Sequence, residues 1–378
     1  MKRDTLAESN RLEILRLCHS GLDSGTLRAR LLQRLQAVIP FDYAYFSTTD
    51  PATQFATSSV LAAEPPEWCM SVFLENEFLQ EDFNKFSDML RDHQPVGVLS
   101  EATGHDLLRS QRYRDMLAPM AMGDELRAIF VTSTACWGTL CLHRGQDRTG
   151  YTPAESAHLA QLVPHIAEGL RKALLLDNAP LAKTPDGPGV LILSEDLSIV
   201  ATTAAAEYWL RELAGDRCAL PHPVRSVIAG LEAIEHGLVV ANGAPKVRLR
   251  TRSGHWLVLY ASRLNSSDSQ RQISVIFEIA KPAEIAPLIM QAYQLTKREG
   301  EIVQCVLRGW STTEIAAKLR ISSNTVQDHL KAIFEKVDVS SRGELAARIF
   351  TQQYLPQFPA GSPLDSSGQF TPLDHFTT

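Results

Sequence analysis

Between residues 296 and 344 the chain carries three Ser/Thr-x-x-Glu boxes: Thr296 with Glu299, Ser311 with Glu314, and Ser341 with Glu344. In such a box the hydroxyl accepts the backbone N–H three residues on, and the carboxylate returns to the N–H of the cap, so each box marks a helix start. Gly309 is placed to stop the first helix. The second helix has an inner face of Ile315, Ala316 and Leu319, and Arg320-Ile321-Ser322 reads as a turn. Ser322 then caps a third helix whose apolar residues, Val326, Leu330, Ile333 and Val337, recur at spacings of 4, 3 and 4. The fourth helix opens at Ser341. Two short helices, a tight turn and a longer helix make the helix-turn-helix arrangement.

With its apolar stripe buried, the third helix turns Gln327, Asp328 and Lys331 outward. These side chains suit base edges in a major groove: Gln pairs with adenine, Asp accepts from the cytosine amino group, and Lys reaches guanine or phosphate. Ser322, Ser323, Asn324 and Thr325 lie at the helix N-terminus, where dipole and hydroxyls can hold phosphate. Lys336 is a candidate backbone contact. From the residues alone, a small helical domain used only for protein contact stays open beside DNA binding.

Charge narrows the choice. The 378 residues carry a net charge of -6, so the chain as a whole is no nucleic-acid coat. Residues 291–355, however, hold nine Lys+Arg against seven Asp+Glu, a local excess of +2. No apolar run approaches the roughly 18 residues of a membrane helix, and the charged Met1-Lys2-Arg3-Asp4 start shows no signal peptide. A cytoplasmic location is expected. The six cysteines form no C-x-x-C pair and read as reduced thiols. Phosphate-loop, dinucleotide, zinc-protease and nucleophile-elbow motifs are missing, so no catalytic chemistry is expected.

The strings LTKRExEIV, GWSTTEIAAKL, ISSNTVQDHLKxIFxKV and VSSRxEL, spread over Leu295 to Leu345, resemble the LuxR-type (GerE-like) helix-turn-helix domain. The resemblance implies a four-helix domain whose third helix enters the major groove of double-stranded DNA and whose fourth pairs two domains as a homodimer. Carried over, base contacts fall on Gln327, Asp328 and Lys331, phosphate contacts on Ser322, Thr325 and Lys336, and dimer contacts on Glu344, Leu345 and Arg348. RNA polymerase is a further candidate partner. Gln327 stands where the family has Lys, and Asp328 turns a negative charge toward DNA. Gly300 sits inside the first helix, at a cost of about 1 kcal/mol relative to Ala. Asp338 replaces a common Gly and is expected in a left-handed conformation.

Residues 10–39 read as a helical pattern, Phe41 to Thr48 as a strand, and Leu126 to Ser133 with Gly138 to His143 as two apolar strands. A helix capped by Thr152 follows. The stretch WGTLCLHR (Trp137 to Arg144) and YTPAESAHL (Tyr151 to Leu159) resembles a GAF-like sensor domain. From Val190 onward a second α+β unit more weakly resembles a PAS-like fold, with Thr202-Thr203 where that fold often has Asn. Its strands are read at 190–193, 199–201, 246–251, 255–262 and 272–279, with a helix around 204–213 and a hairpin loop at 265–269. Cys141 and His143 share a strand face, but two groups make no metal site. Cys136, five residues from Cys141, falls on the opposite side of a regular strand. Trp68 and Trp137 are read as core, and His19 as partly exposed.

The expected fold is therefore multidomain: a GAF-like α+β domain (1–176), a linker (177–188), a PAS-like α+β domain (189–280), a helical connector (281–293), an all-α LuxR-type domain (294–355) and a disordered tail (356–378). The expected function is a DNA-binding transcriptional regulator under N-terminal sensory control. No cofactor or metal is evident, and an effector of unknown identity stays open. Two rival readings are sensor-like folds that only dimerise, and an enzyme fused to a DNA-binding domain.

Overall fold

The computed structural model describes residues 2–133, 135–176, 184–214, 220–239, 243–264 and 271–353. The helical pattern expected over 10–39 is two helices, α1 (Lys2–Cys18) and α2 (Ser24–Val38). They part at Gly21, whose φ of 68° leaves the helical region, and α2 restarts under Asp23, whose carboxylate accepts the Thr26 N–H at 2.9 Å. There follow β1 (Tyr43–Thr49), β2 (Ala56–Leu61), α3 (Trp68–Leu79), α4 (Phe86–Arg91), β3 (Val96–Val98), α5 (Leu99–Ala102), β4 (Met122–Thr132), β5 (Ala135–Gly145) and α6 (Pro153–Leu176). The strands form one antiparallel sheet in the order β2-β1-β5-β4-β3. β5 is buried along its whole length, because helices cover both faces. On one face α6 approaches so closely that a Cβ on Gly138 would stand 2.5 Å from the Ser47 carbonyl oxygen and 2.8 Å from Leu170 Cδ1. α6 starts as expected: Thr152 Oγ1 accepts the Glu155 N–H, and the Glu155 carboxylate accepts the Thr152 N–H.

A second antiparallel sheet comprises β6 (Gly189–Leu193), β7 (Ile199–Thr202), β8 (Lys246–Arg250), β9 (Trp256–Leu264) and β10 (Gln272–Ile279), in the order β7-β6-β10-β9-β8. Counted within each sheet, both orders are 2-1-5-4-3. α7 (Ala204–Ala214) and α8 (His222–Glu235) accompany it. The sequence reading places no element where α8 lies. Pro223 stands in its first turn, where the missing N–H costs nothing, and Val224, Val227, Ile228 and Leu231 face the core.

The two sheets belong to one compact unit. Phe55, from the loop after β1, packs in the core of the second sheet beside Val227, Leu231 and Leu249, and Ala229 of α8 packs in the first sheet's cluster with Tyr45, Phe73 and Cys141. Asp50, fully buried, accepts the backbone N–H and Nε of Arg248, each at 2.9 Å, and Nη2 at 2.5 Å.

The second unit is built on the helices from Lys281 onward: α9 (Pro282–Ala292), α10 (Lys297–Leu307), α11 (Thr312–Leu319), α12 (Ser323–Val337) and α13 (Arg342–Gln353). α10 and α11 carry the expected capping boxes at Thr296 and Ser311. Gly300 has Met290 Cγ as the nearest atom a Cβ would meet, at 3.9 Å, so nothing in the packing requires glycine there. Asp338 ends α12 at φ 58°. The Lys336 ammonium lies 2.7 Å from Glu299 Oε2 and ties the end of α12 to the cap of α10. The expected hairpin loop at 265–269, the tail at 356–378 and most of the linker lie outside the described residues, and no described helix is long and apolar enough to cross a membrane.

Two outcomes test this packing. Arg248→Met strips the buried Asp50 of its counter-charge and should lower the stability of the first unit by about 3–5 kcal/mol, read from denaturant unfolding of the full chain. A loss under about 1 kcal/mol would remove that pair from the interface. The second concerns Glu299. Burial raises its carboxyl pKa, but Lys336 and the Thr296 N–H outweigh this and hold it below its ordinary 4.5. A carboxyl depressed on folding adds stability that is full above its unfolded pKa and vanishes as pH falls through the folded one. The calorimetric transition of the second unit should therefore weaken below about pH 4.5. In Lys336→Met that acid loss should be shallower; an unchanged profile would mean that Lys336 does not hold Glu299.

Candidate nucleic-acid interface and the N-terminal cavity

α12 forms because its apolar residues recur on one side. Val326, Leu330, Ile333 and Val337 are buried, which leaves Ser322, Ser323, Asn324, Gln327, Asp328 and Lys331 exposed. Ser322 is its N-cap: Oγ accepts the Thr325 N–H at 3.0 Å and lies 2.9 Å from Thr325 Oγ1, so both hydroxyls already have partners in the cap. The N–H groups of the first turn point along the axis at whatever meets this end, a ready position for an anion. Two arginines brace α12 indirectly. Arg298 donates Nη2 to the Leu319 carbonyl at 2.6 Å, holding α10 against the end of α11, and Arg342 donates to the Trp310 carbonyl and Thr312 Oγ1, holding α13 against its start. Sequence reasoning missed both, since the partners are 21 to 32 residues away. Arg320 closes α11 in the left-handed region at φ 53°, which sets the turn into α12.

The residues expected to pair two domains are placed differently from one another. Leu345 is fully buried in its own domain, so it serves that core rather than a partner. Glu344 accepts the Ser340 N–H and hydroxyl and so caps α13, and its own N–H donates to Ser341 Oγ. Arg348 donates to the Asp338 carbonyl at 3.3 Å. Lys336 is already engaged by Glu299.

In the N-terminal sheet, register sets two cross-strand rows on one face: Tyr43, His143 and Glu125, and Tyr45, Cys141 and Arg127. Tyr43, Tyr45, Cys141 and His143 of these rows floor a cavity walled by Phe73, Met70, Met116 and Met120. Glu125 lies beneath it. Its Oε2 accepts Nε and Nη2 of Arg112, at 2.9 and 2.7 Å, and lies 3.1 Å from Arg127 Nε; its Oε1 lies 3.1 Å from His143 Nε2. Burial alone would raise this carboxyl, but the two guanidiniums and His143 hold it well below the usual carboxylate range. Glu125, Cys141 and His143 could in principle share a metal. Two guanidiniums on the carboxylate oppose a cation, and burial pushes the Cys141 thiol up to about 12, so it stays protonated at neutral pH. The trio is better suited to orienting the imidazole.

Cys136 does not share this site, though not for the expected reason. A bulge after Phe130 sets Cys136 beside Ile129, whose partner Thr139 shares Cys141's face; the two cysteines lie on one face but in separate clusters. Trp137 is buried, with Nε1 donating to Thr132 Oγ1. Trp68 is 43% exposed at the start of α3, a correction to its expected core role. His19 is exposed.

Comparison with known proteins fits the helical unit. Residues 293–349 match the family described as bacterial regulatory proteins, luxR family. Over 53 residues the chain is 43% identical to the probable transcriptional regulatory protein SgaR of Hyphomicrobium methylovorum, covering 14% of this chain and 25% of that protein. Over 159 residues it is 30% identical to the transcriptional regulatory protein DegU of Brevibacillus brevis, covering 40% and 56%. The matched part thus spans between a quarter and about half of these relatives. A GAF domain/HD domain protein from Geobacter sulfurreducens aligns over 39% of this chain and 91% of its own, at 21% identity and a TM-score of 0.29. Its capped helices, buried third-helix stripe and matching sequence make residues 293–349 of this chain a helix-turn-helix domain of the bacterial luxR family.

Proposed function

We propose that this chain is a DNA-binding transcriptional regulator whose α12 reads the major groove of double-stranded DNA, and whose first unit controls how two copies engage their half-sites. The observation that carries the reading is the exposed face of α12: Gln327, Asp328 and Lys331 stand on the side opposite the buried stripe, one turn in from an N-terminus bearing Ser323 and Asn324. Gln327 and Lys331 serve as base contacts, Asp328 accepts from a cytosine amino group, and the first-turn amides with Ser322, Ser323, Asn324 and Thr325 take phosphate. Lys336 contributes a backbone contact by dividing its three N–H donors between Glu299 and phosphate. Dimer contacts are assigned to the exposed parts of α13 around Glu344 and Arg348.

The first unit is the sensory part of this proposal. Two sheets of one strand order, each with its own helices, support the GAF-like and PAS-like readings, and the cavity in the first supplies room for an effector. Occupancy of that cavity would shift the population of chains able to place two α12 helices on half-sites one helical turn apart.

Two substitutions test the interface on a site selected by the purified chain from a random duplex pool. Lys331→Ala should weaken binding by roughly 1–3 kcal/mol and relax preference at one base position. Equal binding to all bases before and after would sink its role as a reader. Gln327→Lys adds a cation, so nonspecific affinity should rise and the slope of log K against log salt should steepen by about 0.9. An unaltered slope would turn Gln327 away from the DNA.

A further inference from the structure

The cavity is selective in its chemistry. None of its lining residues is Lys, Arg, Asp or Glu. An ionised ligand would give up water there with no counter-charge in contact, which disfavours it. The walls instead offer the rings of Tyr43, Tyr45 and Phe73 and the thioethers of Met70, Met116 and Met120, a set that favours an aromatic body through stacking and sulfur–ring contact.

The floor adds one directional group. Glu125 stays ionised between Arg112 and Arg127 and can only accept, so the proton of the His143–Glu125 bond sits on Nε2 of His143. In the neutral imidazole Nδ1 is then an acceptor, and it makes no hydrogen bond among the described residues. His143 lines the cavity, and a carboxylate on Nε2 fixes its tautomer and leaves Nδ1 as the acceptor this side chain can offer.

The geometry points to a small neutral aromatic molecule, carrying a single O–H or N–H that donates to His143 Nδ1, as the ligand of this cavity. The inference deepens the sensory step proposed above and rests on it only for the consequence on DNA. That consequence has a short route: Tyr45 in the floor lies 5.2 Å, ring to ring, from His222 at the start of α8, and Ala229 of α8 packs in the cluster around the cavity.

Three probes of one shape separate the alternatives on the purified full chain: 2-naphthol, which donates; 2-methoxynaphthalene, which cannot; and 2-naphthoate, which is charged. Titration calorimetry should show 2-naphthol binding about tenfold more tightly than its methyl ether, and no measurable binding of the carboxylate. In His143→Phe the naphthol advantage should disappear while the methyl ether binds as before. Ala63→Trp, which sets an indole on a lining position of the cavity, should abolish binding of both. Equal affinity for naphthol and ether, tighter binding of naphthoate, or no binding of any probe at millimolar concentration overturns the proposal. DNA affinity measured with and without 2-naphthol separates the two readings. Probe binding that leaves DNA affinity unchanged supports the ligand class and overturns the sensory control.

Discussion

One buried carboxylate organises the working face of the N-terminal sheet. Glu125 binds Arg112 and Arg127, and those guanidiniums in turn hold the surrounding elements: Arg112 donates to Asn76 Oδ1 of α3 and to the Phe83 carbonyl, and Arg127 to Glu77 Oε2 and the Asn84 carbonyl. Phe86 of α4 and Phe73 of α3 lie against the Arg127 guanidinium, at 4.6 and 5.4 Å. Three ionised groups at or below 1% exposure would be untenable singly; together, with every charge opposed, they fix α3, α4 and the loop between them over the sheet. Phe73 of α3, held in this way, walls the cavity over β1 and β5.

What the sequence revealed and what it hid follow from range. The caps at Thr296, Ser311 and Ser322 and the left-handed Asp338 are decided within a few residues, and the stripe of α12 within four turns, so the helical unit was legible almost whole. β4 was read as starting at Leu126. A buried strand is not expected to carry Asp124 and Glu125 near its start, yet this one does: Asp124 accepts from the Ser100 hydroxyl and N–H and the Tyr151 N–H, and Arg112 and Arg127 answer Glu125. α8 was hidden by Pro221 and Pro223, which read as breakers but form a permitted helix start. The bulge at Trp137 has no local signal, so alternation misplaced Cys136. The pairing of Lys336 with Glu299 was hidden because Glu299 lies 37 residues earlier, and Leu345 looked like a partner contact because its burial depends on the whole domain.

The charge of α12, the proposed reading helix, shapes how such a domain would bind DNA. α12 exposes one cation, Lys331, and one anion, Asp328, in its first three turns, and Lys336 is partly neutralised by Glu299. Phosphate neutralisation supplies most nonspecific affinity, so a face of this kind starts weak on arbitrary DNA. Specific affinity must then come from bidentate contacts and from coupling two domains, where the second engagement is intramolecular and gains from effective concentration. Small changes in how often two copies present matching helices therefore translate into large changes in occupancy, a property suited to control from elsewhere in the chain.

The proposed control would have to operate through a stiff body. Two sheets of the same strand order would ordinarily be two domains free to rotate, but here each reaches into the other's core. Phe55 crosses into the second sheet and meets α8 at Gly230, where any Cβ would fall 2.1 Å from the Phe55 ring. Asp50 crosses beside it to Arg248. Rotation of one half would extract a phenyl ring and separate a buried ion pair, both costly. Close-packed interiors of this kind shift between discrete arrangements rather than bending continuously. A molecule entering the cavity meets Tyr45 and Phe73, and through them α8, so its contact energy acts on the whole unit at once; the unit can respond only by favouring one arrangement over another.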